Sequence, residues 1–84
     1  MKYKCPCCGY YTFDNESNGN YDICPVCFWE DDPIAIDDTT FVGEANHVSL
    51  QQARLNFKKF GACEKDMLPY VRKPNINEMN TKKL

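Results

Sequence analysis

Two short β-like stretches near the start of the chain give way to a helical period in its second half. Residues 1–13 predict a short strand, a cysteine turn and a second strand, because Tyr10, Tyr11, Thr12 and Phe13 all favour extended backbone. Asp14 to Asn20 has turn composition, and Asn18-Gly19 suits positive φ. Tyr21-Asp22-Ile23 predicts a returning, half-buried hairpin arm that leads into a second cysteine turn, Cys24 to Cys27. Phe28 and Trp29 follow and read as core. The acidic segment Glu30-Asp31-Asp32-Pro33 is expected to stay in water, and residues 33–46 to be irregular.

The helical period starts at Ser49. Ser49 at the N-cap and Gln52 three residues on form a capping box, and Leu50, Ala53, Phe57 and Phe60 make one apolar stripe, with Leu55 off it. Lys58 and Lys59 suit the negative end of the helix dipole, and Gly61 suits a left-handed stop. Beyond Pro74 the composition is polar. The expected organisation is a single domain over residues 1–74 and a flexible polar tail over residues 75–84.

A chain of 84 residues has room for one domain with a modest core, and so calls for an added staple. Six cysteines are the candidates. The start, Met1-Lys2-Tyr3-Lys4-Cys5, has no apolar signal segment and no run reaches membrane-spanning length, so the expected location is cytoplasmic, with no membrane contact. In a reducing compartment cysteine pairs favour metal or redox roles over disulfides.

The cysteines carry the chemistry. Cys5 and Cys8 form one Cys-x-x-Cys, Cys24 and Cys27 form another, and fifteen residues lie between them, a spacing suited to a four-cysteine metal site. Two intervening residues let a tight turn aim both sulfurs at one point. Pro6 and Pro25 occupy equivalent places in the two turns, and Gly9 stands where such a knuckle wants positive φ. Cys7 falls at an x position, like Val26, and reads as a small, partly buried filler whose side chain points away from the metal. Cys63 reads as core. His47 reads as a satisfied neighbour of the helix start, since four sulfurs already close the site.

The blocks "YKCPCCGYYTF", "YDICPVCFWEDD" and "NHVSLQQARLNFKKFGAC" resemble the bacterial cysteine-rich CPCC family over roughly residues 3–74. The resemblance implies a small metal-binding protein and carries no established reaction. The knuckles also resemble those of rubredoxins and zinc ribbons, with Phe28 where a rubredoxin-like second knuckle usually has glycine. The expected fold is a small α+β metal-bound domain: a zinc-ribbon or rubredoxin-like β-hairpin with two cysteine knuckles plus one packed α-helix.

Three functions compete on these residues. The first is a structural zinc module that binds a protein partner, with the acidic loop beside Trp29 as one contact surface. An immunity-type role, in which a small acidic protein blocks a basic toxin surface, fits that charge by analogy. The second is a rubredoxin-like iron electron carrier on the same four sulfurs, since spacing does not choose zinc over iron. The third is an enzyme using Asp31, Asp32, Asp37 or Asp38, disfavoured because no histidine base, nucleophile elbow or open metal position accompanies them.

Charge argues against nucleic acid. Residues 1–48 hold two lysines against nine carboxylates, and residues 49–84 hold eight basic residues against three acids. The basic residues Arg54, Lys58, Lys59, Arg72, Lys73, Lys82 and Lys83 sit on the helix and tail, with no base-stacking aromatic array beside them.

Overall fold

Each Cys-x-x-Cys sits at the tip of a small hairpin, and the two tips share one hydrogen-bond pattern. In the computed structural model, which describes residues 2–79, Cys5 N–H donates to the Tyr10 carbonyl at 2.8 Å and Gly9 N–H donates to the Cys5 carbonyl at 2.9 Å. In the second tip Cys24 N–H donates to the Trp29 carbonyl at 2.9 Å and Phe28 N–H to the Cys24 carbonyl at 2.7 Å. Gly9 and Phe28 occupy the same left-handed place, at φ 84° and 69°. Glycine is at ease there, whereas a phenylalanine is not.

The strands that flank the first tip are short. β1 (Tyr3–Lys4) pairs antiparallel with β2 (Tyr11–Phe13), Tyr3 opposite Phe13 and Lys4 opposite Tyr11. The register slips by one residue between these pairs, so Thr12 is left over as a bulge on β2. The arm expected at Tyr21–Ile23 is not a regular strand: Tyr21 has φ 60°, and the pairing reduces to an isolated Ile23–Glu30 bridge. Its ladder continues as Tyr21 N–H to the Asp31 carbonyl and Asp31 N–H to the Asp22 carbonyl. On the far side of Glu30 a side chain replaces a strand, as the Asn46 amide accepts from Glu30 N–H at 3.0 Å and donates to its carbonyl at 2.8 Å.

The acidic segment corrects the expectation of a solvated loop. Asp31 and Asp32 are 0% and 1% exposed. Asp31 accepts from the Ser17 hydroxyl and from the backbone N–H groups of Gly19 and Asn20. Asp32 accepts from the N–H groups of Ile34, Glu44 and Ala45, and thereby ties the loop over residues 33–46 to the hairpin. Burial raises the Asp32 pKa, but those backbone donors outweigh it and leave the carboxyl below its usual range. Asp32 also caps a helix in a region expected to be irregular. α1 (Pro33–Asp37) starts with proline in its first turn, where the missing N–H costs nothing, and buries Ala35.

α2 (Leu50–Phe60) forms where the period places it. Ser49 Oγ accepts from Gln52 N–H at 3.1 Å, and Gly61, at φ 93°, ends the helix with its N–H on the Phe57 carbonyl. Only the first half of the stripe reaches the core: Leu50 and Ala53 are buried, Phe57 and Phe60 are half-buried, and Leu55 is exposed. The core lies between α2 and the two tips, with Phe13, Val26, Trp29 and Leu50 among its largest buried side chains.

The chain then returns across the second tip. Cys63 N–H donates to the Cys27 carbonyl at 2.8 Å, a 3₁₀ helix runs over Lys65–Tyr70, and Arg72 N–H donates to the Pro25 carbonyl at 3.1 Å. Tyr70 stacks on Phe28 with ring centroids 5.4 Å apart. The polar tail expected from residue 75 differs from the structure in its first part. α3 (Ile76–Met79) packs against β2, and Glu78 is buried with both carboxylate oxygens on the Arg72 guanidinium. That charge-assisted pair, with Asn75 N–H also on Glu78, supplies the partner a buried carboxylate needs. Residues 80–84 of the expected tail lie outside the described residues.

Candidate metal centre

The two tips face each other and bring four sulfurs together. The Sγ atoms of Cys5, Cys8, Cys24 and Cys27 all lie within 4.8 Å of one another, with Cys5–Cys27 and Cys8–Cys24 each at 3.7 Å. Both short edges join one tip to the other, so neither hairpin makes the cluster alone. A disulfide is ruled out at this separation, since bonded sulfurs stand about 2.05 Å apart. A tetrahedral metal fits it: metal–sulfur bonds of about 2.3 Å place neighbouring sulfurs about 3.8 Å apart. Cys5, Cys24 and Cys27 are fully buried, and Cys8 reaches part-way to the surface.

The electrostatics point the same way. Cys24 is held low by the neighbouring thiols of Cys27, Cys5 and Cys8. Ionised Cys24 in turn pushes Cys5, Cys8 and Cys27 up, and burial adds to the effect. Four thiolates in one buried pocket require a cation, and a divalent ion is what allows all four to ionise together. Four-sulfur donor sets suit zinc or iron, and leave no position for water.

One contact to the cluster was not read from the sequence. The bulge turns Thr12 inward, and its hydroxyl lies 3.0 Å from Cys24 Sγ, where it can donate to a thiolate. No local signal marks Thr12, because the bulge arises from pairing between strands. Of the spare cysteines, Cys7 and Cys63 are both buried in the core cluster, and neither belongs to the converging four. Burial, helped by nearby Cys7 and Glu64, pushes the Cys63 thiol up to about 12, so it is a poor nucleophile. His47 lies at the surface, with its backbone N–H and Nδ1 on the Glu64 carboxylate.

The residue pattern that defines the cysteine-rich CPCC proteins matches residues 3–78. The chain belongs to the cysteine-rich CPCC family. In this CPCC protein the signature Cys5-Pro6-Cys7-Cys8 is the first tip itself, and the matched region extends through Glu78, the buried partner of Arg72. Among curated proteins, none matches the chain.

The carboxylates and the aromatic expected to form a contact surface have other duties. Asp31 and Asp32 are taken up by backbone amides, and Trp29 is fully buried, with no hydrogen-bond partner for its indole N–H among the described residues. Asp37 and Asp38 are exposed at the end of α1, where Asp38 accepts from Thr40 and is held below its usual range by that hydroxyl and amide. They do not meet Asp31 and Asp32 in a shared metal cluster among the described residues. No helix among the described residues is long and apolar enough to cross a membrane.

Proposed function

We propose that this chain is a structural zinc protein that presents a small surface to another protein. The observation that carries the reading is the closed set of four sulfurs, joined across two tips that have little regular structure to hold them otherwise. With every coordination position taken by sulfur, the metal would stabilise the fold and would not activate water. Binding energy of this kind is folding energy, on the order of 10–16 kcal/mol in small zinc peptides. Catalysis by the carboxylates has little support, because the two buried ones are satisfied by backbone donors. The burial of Asp31, Asp32 and Trp29 takes those three residues out of any contact surface, while Glu16, Asp37, Asp38 and Glu44 stay exposed as the acidic face that an immunity-type role against a basic partner would use.

A second reading, an iron electron carrier, is favoured by one feature. Cys8 is the one part-buried cysteine of the cluster, and a centre near solvent suits the exit of an electron. Protein purified from its own host under normal metal supply separates the two. The zinc reading expects a colourless protein with one zinc per chain that unfolds when a chelator removes the metal. A red protein with reversible one-electron chemistry would make iron the resident metal.

A further inference from the structure

α2 carries its apolar stripe further than the core covers it. Phe57 and Phe60 are only half-buried and, with Val26, Leu68, Val71 and Pro74, line a cleft of about 400 Å³ between the helix end and the returning chain. Its size is right for one or two large side chains and falls within the range of about 300–1,000 Å³ typical of ligand clefts. Val26, at its base, is the x residue of the second tip, so the cleft backs directly onto the metal-bearing turn.

Charge selects what fits. Both charged side chains that line the cleft are cationic, Arg72 and Lys73. Arg72 is held by Glu78, whereas Lys73 makes no ion pair among the described residues. An apolar floor with a cationic rim is complementary to an acidic segment that carries a bulky apolar residue. It is a poor match for nucleic acid, whose affinity needs many phosphate contacts and little apolar burial.

We infer that this cleft is the docking site for an acidic peptide segment of a partner protein, with one bulky apolar side chain seated on Phe57, Phe60 and Leu68 and a flanking carboxylate at Lys73. The inference rests on the protein-binding reading above and places it on the α2 end of the molecule.

The test is selection of a random peptide library displayed on phage against the full, zinc-loaded chain, followed by amide shift mapping with an enriched peptide. Enriched sequences should carry a leucine, phenylalanine or similar residue flanked by Asp or Glu, and should shift Phe57, Phe60, Leu68 and Val71. Lys73→Glu should weaken binding about fivefold, the scale of one exposed charge pair. Leu68→Glu should weaken it roughly tenfold or more, as loss of an apolar anchor does. Both positions are exposed, so the variants are expected to fold. Enrichment of basic or uncharged sequences, or shifts confined to other surfaces such as Tyr3 and Tyr21, would refute the cleft and leave protein binding standing. Concentration-dependent shifts at the same residues without peptide would make it an interface between copies and overturn the proposal. A selection that yields no binder would count against both the cleft and the protein-binding reading.

Discussion

The two cysteine tips have matching backbones and opposite surroundings. The first, Cys5 to Tyr10, has glycine at its left-handed position, one part-buried cluster cysteine in Cys8, and a half-buried Tyr10 edge-on to Phe57 at 6.1 Å. The second, Cys24 to Trp29, has phenylalanine at that position, both cysteines fully buried and Trp29 sealed in the core. What differs is the chain that packs on them. Cys63 and Arg72 bond the backbone of the second tip through their own backbone N–H groups, whereas α2 reaches the first through side chains, Phe57 against Tyr10 and Arg54 Nε on the Pro6 carbonyl at 2.8 Å. The spacing of cysteines therefore sets the local geometry, and the remote segments set the depth. The second tip is the structural anchor and the first is the open side of the centre.

The largest contrast should appear in the aromatic that closes each tip. Trp29→Ala should lose ~3–5 kcal/mol in denaturant unfolding of the metal-loaded protein, as a fully buried large aromatic does. Tyr10→Ala, from a half-buried site with one edge-to-face contact, should lose ~1–2 kcal/mol. Equal losses would mean that the tips are equally deep.

Next come the acids that follow each hairpin. Asp32→Ala leaves three backbone donors without their buried acceptor and should cost ~2–3 kcal/mol at neutral pH. Asp14, exposed and paired with Lys2, should be replaceable by alanine with no measurable change in unfolding midpoint. The pH dependence has a defined sign. The folded Asp32 carboxyl sits below its unfolded value of about 3.9. Its contribution is therefore complete above that value and fades as pH falls toward the folded pKa. The stability gap between the parent and Asp32→Asn should narrow on acidification through about pH 4; a gap that widens would show the sign to be wrong.

The smallest effect concerns the left-handed positions. Gly9→Ala should cost about 1 kcal/mol, because alanine is strained at positive φ. Both Phe28→Ala and Phe28→Gly lose the Tyr70 stack, so their difference isolates the backbone. The glycine variant should be the more stable by about 1 kcal/mol. If the alanine variant matches or exceeds it, the second tip does not hold Phe28 in that conformation.

The parts of the fold legible in the sequence were those fixed by neighbours along the chain. The duplicated Cys-x-x-Cys located both tips, and Ser49, the 3.6-residue stripe and Gly61 bounded α2. Asp32-Pro33 was an equally local helix start, hidden because a run of acids also reads as a solvated loop. What stayed illegible depended on pairing at a distance. Nothing near Asp31 or Asp32 announces the amides of residues 19–20 and 44–45 that bury them. Glu78 likewise reads as part of a polar tail until Arg72 is beside it. Thr12 gained its place against Cys24 through a slip of register between two strands. At the centre itself, the four converging cysteines follow from spacing, while the unequal exposure of Cys8 comes from what packs on each tip.

The central claim is that one metal joins the tips through Cys5, Cys8, Cys24 and Cys27, and that it is zinc. X-ray absorption at the metal edge, on protein purified from its own host, tests this most directly because it reports the element and its ligands together. The account predicts zinc with four sulfur neighbours at about 2.3 Å and no light-atom ligand. Iron at the site, or a shell in which nitrogen or oxygen replaces one of the sulfurs, would contradict it.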